Sequence, residues 1–324
     1  MFASADKILA TKLQVRLAFK ALLRLSLAAA LAFPAVASVA ALQAVSWTPQ
    51  KIVNGSPCLF RVQMATVPLS LTGRWQGRDL AFVASADRNV WYALAGVDVE
   101  TKPGHYALEV QATLPNGARV RQRKMVAVGR AKFAKEKLRV PERYVEPDAG
   151  SRVRIEADHE LKRVAFAHEM PTAAWSGNFR PPVDSAISEH FGTRRSFNGK
   201  LASIHRGLDY RALPGTPVMA ANSGVVVLAH ELFYEGNCVI IDHGQQFATI
   251  YMHLSQLQVS EGQKVEKGQE IGLSGASGRT TGPHLHVAAR WQGAYLDPAQ
   301  LWSLRLPDLH AASLSRASAQ TANP

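Results

Sequence analysis

Apolar and polar residues alternate along much of the chain between residues 45 and 130, which predicts short β-strands. From Tyr106 to Leu114 every second residue is apolar, so one face of this strand is expected to be buried. Pro103-Gly104 precedes the run, and Pro115-Asn116-Gly117 follows it as a turn signal. Several such runs separated by turns predict a small β-sandwich in this part of the chain.

The pattern changes between residues 131 and 182, where a linker containing a helix is predicted. Lysines and two prolines, Pro141 and Pro147, open the segment. A loose apolar stripe over residues 151–168 then predicts the helix. The histidines of this segment have no second ligand at useful spacing and are interpreted as surface or packing residues.

Residues 183–303 are rich in glycine and β-branched residues and predict a second β domain with little helix. Strand-like runs include Val225–Val227, Val239–Ile241 and Phe247–Tyr251, separated by turn signals such as Pro214-Gly215. The fold class expected for the whole chain is therefore mainly β. The Ala- and Ser-rich residues 304–324 are expected to form a flexible tail.

The first forty residues resemble an export signal. Five basic residues are followed by an apolar run from Leu25 to about Ala41 that is short, rich in alanine and interrupted by Pro34. Ala35-Val36-Ala37 fits a small-x-small cleavage pattern. We predict a signal peptide over residues 1–40, with an uncleaved membrane anchor as the alternative. Either reading places the rest of the chain outside the cytoplasm, in the periplasm or cell envelope.

Composition and charge narrow the classes of partner. The chain has 324 residues, of which 47% are hydrophobic and 19% charged, which is typical of folded domains. Its formal net charge of +12 favours anionic partners, and an acidic cell-wall polymer or a membrane surface would serve. Nucleic acid is not favoured, because no recognition motif accompanies the charge. The two cysteines, Cys58 and Cys238, stand among apolar neighbours and are predicted to be buried free thiols.

Four side chains in the last third of the chain have the spacing of a metal site. His284 and His286 are two residues apart, so a strand would point both imidazoles to one face. His205 and Asp209 are four apart, and an extended backbone would also bring them to one face. Catalytic zinc sites use three protein ligands of these types, so three of the four could hold zinc while the fourth acts on water. The glycines between residues 272 and 282 are expected to let backbone approach a ligand.

The motifs around these residues resemble those of lysostaphin-like zinc metallopeptidases. The resemblance covers about residues 183–300, and the residues before it look like the immunoglobulin-like module of some exported bacterial members. The matching motifs stand in the order seen in that family: Phe191-Gly192-Thr193-Arg194-Arg195, His205-Arg206-Gly207-Leu208-Asp209-Tyr210, Gly215-Thr216-Pro217-Val218, Gly224-Val225-Val226, Gly236-Asn237, Ile241-Asp242-His243-Gly244, Tyr251-Met252-His253-Leu254-Ser255 and Gly278-Arg279-Thr280-Thr281-Gly282-Pro283-His284-Leu285-His286.

The resemblance implies a role for each candidate site residue. Metal ligation falls to His205, Asp209 and His286, and catalysis to His253 and His284. We expect His284 to be the general base and His253 to orient water or stabilise the oxyanion, although the two could exchange roles. The implied fold of residues 183–303 is an antiparallel β catalytic domain.

The resemblance also implies zinc as cofactor and the peptide cross-links of peptidoglycan as substrate. The alternative function is a catalytically silent wall-binding or regulatory module that activates another hydrolase. A regulatory protein partner is compatible with either function. A membrane contact is expected only through an uncleaved leader.

Overall fold

The computed structural model describes residues 41–199 and 201–308, without the side chain of Leu201. The leader predicted for residues 1–40 lies outside the described residues, as does most of the predicted tail. Within the described ranges, no helix is long and apolar enough to cross a membrane.

Nine strands precede residue 130 in the described part of the chain, and they form two sheets. The four-stranded sheet has the order β1-β3-β7-β6, and the five-stranded sheet has the order β2-β9-β8-β4-β5. Pairing is antiparallel except between β2 and β9. The strands are β1 (Leu42–Thr48), β2 (Ile52–Val53), β3 (Pro57–Met64), β4 (Ser70–Trp75), β5 (Arg78–Leu80), β6 (Val83–Ala84), β7 (Val90–Gly96), β8 (Gly104–Thr113) and β9 (Arg119–Gly129).

The two sheets pack face to face around an apolar core. The alternation predicted in β8 is confirmed, since Leu108, Val110 and Ala112 are buried. Phe60 of β3 contacts Trp75 of β4 edge to face, with ring centroids 5.3 Å apart. These contacts make a sandwich, while the immunoglobulin-like character of the module stays a prediction.

The remaining described residues contain thirteen strands, two α-helices and a 3-10 turn at Glu142–Tyr144. The elements are β10 (Lys135–Leu138), α1 (Ala149–Phe166), β11 (Ile187–Glu189), β12 (Arg194–Phe197), β13 (Leu201–Ile204), β14 (Leu208–Tyr210), β15 (Pro217–Met219), β16 (Gly224–Leu232), β17 (Gly236–Asp242), β18 (Phe247–Leu257), β19 (Lys264–Val265), β20 (Glu270–Ser274), β21 (Leu285–Trp291), β22 (Ala294–Leu296) and α2 (Pro298–Ser303).

A large antiparallel sheet forms the body of this second unit. Its main path is β11-β14-β21-β18-β17-β16-β19, with β20 joining β18 and β15, and β22 joining β21. Strands β17, β18 and β21 are buried along most of their length, which explains their continuous apolar runs. The prediction of a mainly β fold is confirmed.

The segment expected to be a linker instead packs against the second unit. Strand β10 pairs in parallel with β12, and Tyr144 donates a hydrogen bond to the carbonyl of Gly278 at 2.7 Å. Helix α1 lies against β16, two residues earlier than the stripe suggested. Its first turn is capped by Asp148, whose side chain accepts a hydrogen bond from the Ser151 amide at 2.7 Å.

The two units also contact each other directly. The amide of Tyr295 donates to Asp98 at 2.9 Å, and the hydroxyl of Ser56 donates to Gln300 at 2.9 Å. One buried apolar cluster contains residues of both units. Cys58 and Cys238 are buried and free, as predicted.

Candidate active site

Neighbouring strands β14 and β21 bring the candidate ligands together. Asp209 of β14 lies directly opposite His286 of β21 in the antiparallel register, so their side chains share one face. His205 stands just before β14, and its ring reaches the same point. The three side chains are buried, and their ligand atoms all lie within 4.8 Å of one another.

The three ligand atoms converge closely. His205 Nε2 lies 3.0 Å from Asp209 Oδ1 and 3.0 Å from His286 Nδ1, and the last two atoms are 2.7 Å apart. The other ring nitrogen of His205, Nδ1, donates to the carbonyl of His190 at 2.9 Å. That hydrogen bond leaves Nε2 unprotonated and available to a metal. Two histidines and one carboxylate are a donor set that fits catalytic zinc.

A charged network that the sequence reading missed supports the carboxylate ligand. Arg195 donates to Asp209 Oδ2 at 2.7 Å and forms a second, bidentate contact with Glu189, where the Nε–Oε1 distance is 2.7 Å. Burial alone would raise the pKa of Asp209, but His286 and His205 hold that pKa well below its usual value. Asp209 is therefore ionised, as a metal ligand must be. Arg195 stood in a quoted motif, yet no spacing rule linked it to Asp209.

His253 and His284 lie beside the ligands. Their ring centroids are 4.8 Å apart, and His284 Nε2 lies 3.8 Å from Asp209 Oδ2. The Nδ1 atom of His284 donates to the carbonyl of Gly282 at 2.8 Å, and Nδ1 of His253 donates to that of Ser277 at 2.8 Å. In both rings Nε2 is thus left as an acceptor. The structure brings all five sequence-predicted residues to one place.

Burial controls the protonation of two of these rings. Desolvation, followed by the nearby rings of His284 and His286, lowers the pKa of His253 to about 3. Desolvation also lowers the pKa of His286 to about 4, although the charge of Asp209 opposes it. Both rings are therefore neutral at pH 7.

His253 occupies an unusual backbone conformation. Its φ of +63° lies in the left-handed region, which only a few per cent of non-glycine residues adopt. The amide of His253 donates to the carbonyl of Glu235 at 2.8 Å, which fixes the backbone there. Residues in such backbone conformations are common at functional sites, and no local sequence pattern predicts them.

The five residues line a groove of ≈ 670 Å³. Segments from outside the large sheet complete its walls: β10 contributes Glu136 and Leu138, and the β12–β13 hairpin contributes Arg195. Arg279 and Tyr234 form part of the opposite wall. The groove is polar where the three candidate ligands lie.

Three of the glycines expected to let backbone approach a ligand, Gly272, Gly275 and Gly278, instead pack against the chain itself. A Cβ atom at Gly272, Gly275 or Gly278 would clash with neighbouring backbone atoms of the chain itself, at 2.3–2.6 Å. These three glycines therefore permit close strand and loop packing, whereas Gly282 lines the groove and a Cβ there would meet nothing within 4 Å. Gly207 has a direct role at the site, because a Cβ there would lie 2.3 Å from His286 Nε2.

The other histidines near these motifs have framework positions. His243 is buried, with Nδ1 donating to the Ser223 carbonyl at 2.8 Å and Nε2 lying 2.7 Å from the hydroxyl of Thr249. His168 pairs with Asp242 at 2.7 Å. Neither ring lines the groove.

A buried His-His-Asp donor set with two more histidines beside it, in a groove on a mainly β domain, defines the class of zinc-dependent hydrolases. Residues 203–298 match peptidase family M23, and this part of the chain is an M23 peptidase domain. The family predicted from the motifs is thereby confirmed for these residues.

Relatives of known name share this domain. The peptidoglycan DD-endopeptidase ShyA of Vibrio cholerae is 49% identical over 110 residues, which are 33% of this chain and 26% of ShyA. The DD-carboxypeptidase/endopeptidase Mpg of Neisseria meningitidis is 38% identical over 143 residues, which are 44% of this chain and 33% of Mpg. The matches thus span about a quarter to a third of the length of these relatives.

A solved structure resembles more of the chain. A crystal structure from Pseudomonas aeruginosa, described as a peptidase M23, has 28% identity and a TM-score of 0.59. The match covers 78% of this chain and 95% of that one. The similarity therefore extends beyond the residues that match the family.

Proposed function

We propose that this protein is a zinc-dependent endopeptidase that hydrolyses the peptide cross-links of peptidoglycan. The observation that carries the proposal is the convergence of His205, Asp209 and His286 beside His253 and His284 in one open groove. The endopeptidase names of ShyA and Mpg support the same substrate.

We assign the metal to three ligand atoms, namely Nε2 of His205, one carboxylate oxygen of Asp209 and Nδ1 of His286. When bound there, zinc supplies Lewis-acid chemistry, polarising the scissile carbonyl and making water a nucleophile near neutral pH. The hydrogen bond from His205 to the His190 carbonyl orients the first ligand. Arg195 orients the second by holding the other oxygen of Asp209.

His284 is assigned as the general base. Its Nδ1–H is engaged by the Gly282 carbonyl, so Nε2 carries the lone pair and faces the ligands. The side chain is 17% exposed, so an imidazolium formed during the reaction remains partly hydrated. After taking a proton from the attacking water, Nε2 is positioned to return it to the leaving amine.

His253 is assigned as the residue that orients the attacking water. Its Nδ1–H is engaged by the Ser277 carbonyl, so Nε2 can only accept a hydrogen bond in the neutral ring. Deep burial disfavours the charged form that an oxyanion donor would need. This assignment chooses between the two roles that the sequence left open for His253.

The cellular setting proposed for the enzyme is the periplasm or cell envelope, where its substrate lies. The predicted leader and the basic charge of the chain are both consistent with that setting. The peptide stems of such a wall carry D-alanyl and diaminopimelate residues.

The test combines metal analysis with digestion of purified, cross-linked peptidoglycan. We expect one zinc per chain and loss of cross-linked fragments, stopped by a chelator and by His284→Ala. Zinc-free protein that leaves the cross-links intact but stimulates another wall hydrolase would instead support the silent regulatory module.

A further inference from the structure

The active-site groove has a side pocket that helix α1 helps to build. This pocket of ≈ 240 Å³ lies between α1 and strands β17 and β18. Lys162, Glu235, Met252 and Tyr295 line both the groove and the side pocket, so the two cavities meet at these residues. Helix α1 precedes the residues that match the family, so one of these four residues, Lys162, comes from a part of the chain outside the matched domain.

The walls of the side pocket are mainly apolar. Phe166 of α1, Ile240 of β17 and Ile250 of β18 form its floor with Met252. Such walls favour an aliphatic chain, because burying each methylene group contributes about 0.8 kcal/mol. Of its charged lining residues, Lys162 and Glu235 lie at the junction with the groove, whereas Arg163, like His159, lines the side pocket alone.

A buried ion pair occupies that junction. Lys162 Nζ lies 2.5 Å from Glu235 Oε1, and the two side chains are only 21% and 14% exposed. The pair leaves bonding capacity unused on both sides. An ammonium group has three donors, and Glu235 Oε2 is buried without a hydrogen-bond partner among the described residues. An unpaired buried carboxylate oxygen is costly, and a cationic donor would satisfy it.

We infer that Lys162 and Glu235 form a binding subsite for a substrate side chain that has an aliphatic stem and ends in both an ammonium and a carboxylate group. Met252, which lines both cavities, packs against the stem where it leaves the groove. Oε2 of Glu235 accepts from the ammonium, and the free donors of Lys162 bind the carboxylate. Diaminopimelate in a peptide stem has this chemistry, so the inference rests on the proposed function and specifies its substrate.

The subsite lies next to the reacting groups. The carbonyl of Glu235 accepts the hydrogen bond from the amide of His253 at 2.8 Å. A side chain held by Glu235 would therefore belong to a residue close to the cleaved bond. Binding energy gained there can position the scissile peptide against His284.

The Lys162–Glu235 ion pair could instead serve only to hold helix α1 against the sheet. A second ion pair between the same helix and the sheet provides a matched control for that role. Arg154 of the same helix pairs with Glu231 of β16 at 3.2 Å. This second pair is 48% and 66% exposed and lies outside the groove. Arg154→Met thus removes a tie between helix and sheet without touching the proposed subsite.

The experiment measures kcat/KM of the zinc-loaded protein on cross-linked muropeptides that differ only at the end of the diaminopimelate side chain. One substrate has a free carboxylate there, and the other is amidated. We expect the wild type to prefer the free form about tenfold, the loss typical of a charged hydrogen bond. Lys162→Met should abolish this preference, and Arg154→Met should keep it.

Glu235→Gln tests the other half of the subsite. With the amine of the same side chain either free or acetylated, this variant should lose the preference for the free amine. Thermal unfolding of each variant monitors the fold. An unchanged preference in Lys162→Met and Glu235→Gln would overturn the inference, as would an equal loss in Arg154→Met.

Failure of the proposed function gives a different result. If the zinc-loaded wild type cleaves neither substrate, binding of a diaminopimelate-containing stem peptide is measured by calorimetry. Binding that is lost in Lys162→Met but kept in Arg154→Met supports the subsite in a non-hydrolytic protein. No binding to the wild type, or equal binding to the wild type and Lys162→Met, overturns it.

Discussion

Replacing Gly207 by alanine should weaken zinc binding while leaving most of the fold intact. A Cβ atom at Gly207 would lie 2.3 Å from His286 Nε2 and 2.6 Å from the carbonyl oxygen of Val287. Carbon atoms pack at about 3.5–4.0 Å, so the ring must move by about 1 Å or more. It cannot retreat, because its Nδ1 atom already lies 2.7 Å from Asp209.

The displacement of the His286 ring should reduce both the affinity for zinc and the free energy of unfolding. A misplacement of about 1 Å at a functional group typically costs about a hundredfold, which we expect for zinc affinity. Overpacking costs about 1–3 kcal/mol of the free energy of unfolding. Gly207 does not have a positive φ, so backbone strain adds nothing to this cost. The loss of metal should therefore exceed any loss that partial unfolding could explain.

The assay is competition for zinc against a chromophoric chelator, with unfolding measured in parallel on the metal-free proteins. Gly104→Ala is the control, because the nearest atom to its Cβ would be 3.7 Å away. A double-mutant cycle with His286→Ala tests the mechanism. If both substitutions act through the same ring, the double variant should bind zinc no more weakly than His286→Ala alone. Additive losses, or normal zinc affinity in Gly207→Ala, would refute the steric reasoning.

Three further predictions concern the metal ligands, the contact of Arg195 with Asp209, and the pH dependence of stability. His205→Ala should lose zinc, whereas His284→Ala should keep zinc and lose activity, as measured by metal analysis and digestion assays. Arg195→Met should weaken zinc binding about tenfold in the same competition assay, because Asp209 loses its orienting partner. Burial lowers the pKa of His243 to about 4 from 6.5, so its contribution to stability is complete above pH 6.5 and is lost as pH falls toward 4. Between pH 7 and 5 it should remove about 2 kcal/mol from the free energy of unfolding, and His243→Gln should remove that part of the pH dependence in urea titrations.

Each of these predictions has its own control. If His205→Ala and His284→Ala both lose zinc, the division between ligand and base is wrong. Arg194→Met removes an exposed neighbouring arginine and should leave zinc affinity unchanged. A His243→Gln protein that loses stability between pH 7 and 5 as steeply as the wild type would contradict the assignment of that slope to His243.

Local patterns were sufficient for much of the fold. Alternation in β8 predicted its buried face, because side chains two apart in a strand necessarily share a side. The spacing of His284 and His286 followed the same rule. Helix α1 was placed to within two residues, because an apolar stripe is a local feature of the sequence.

Other parts of the site depend on residues far apart in sequence. The parallel pairing of β10 with β12 joins segments separated by about sixty residues. No pattern within either strand predicts which strand it pairs with. The glycines of residues 272–282 were assigned to a ligand because sequence shows that a close approach is possible, but does not show to what. The contact of Arg195 with Glu189 and Asp209 is of the same kind.

The sequence by itself determined the types and spacings of the proposed zinc ligands and, through family motifs, the proposed catalytic histidines. Only the tertiary structure decided which ring nitrogen of His205 is free to bind a metal, since its tautomer depends on a carbonyl fifteen residues away. The tertiary structure also placed Lys162 of α1 at the groove, where it pairs with Glu235. The physical reason is that side-chain direction follows from local backbone geometry, whereas hydrogen-bond partners and burial depend on how distant strands pair and pack.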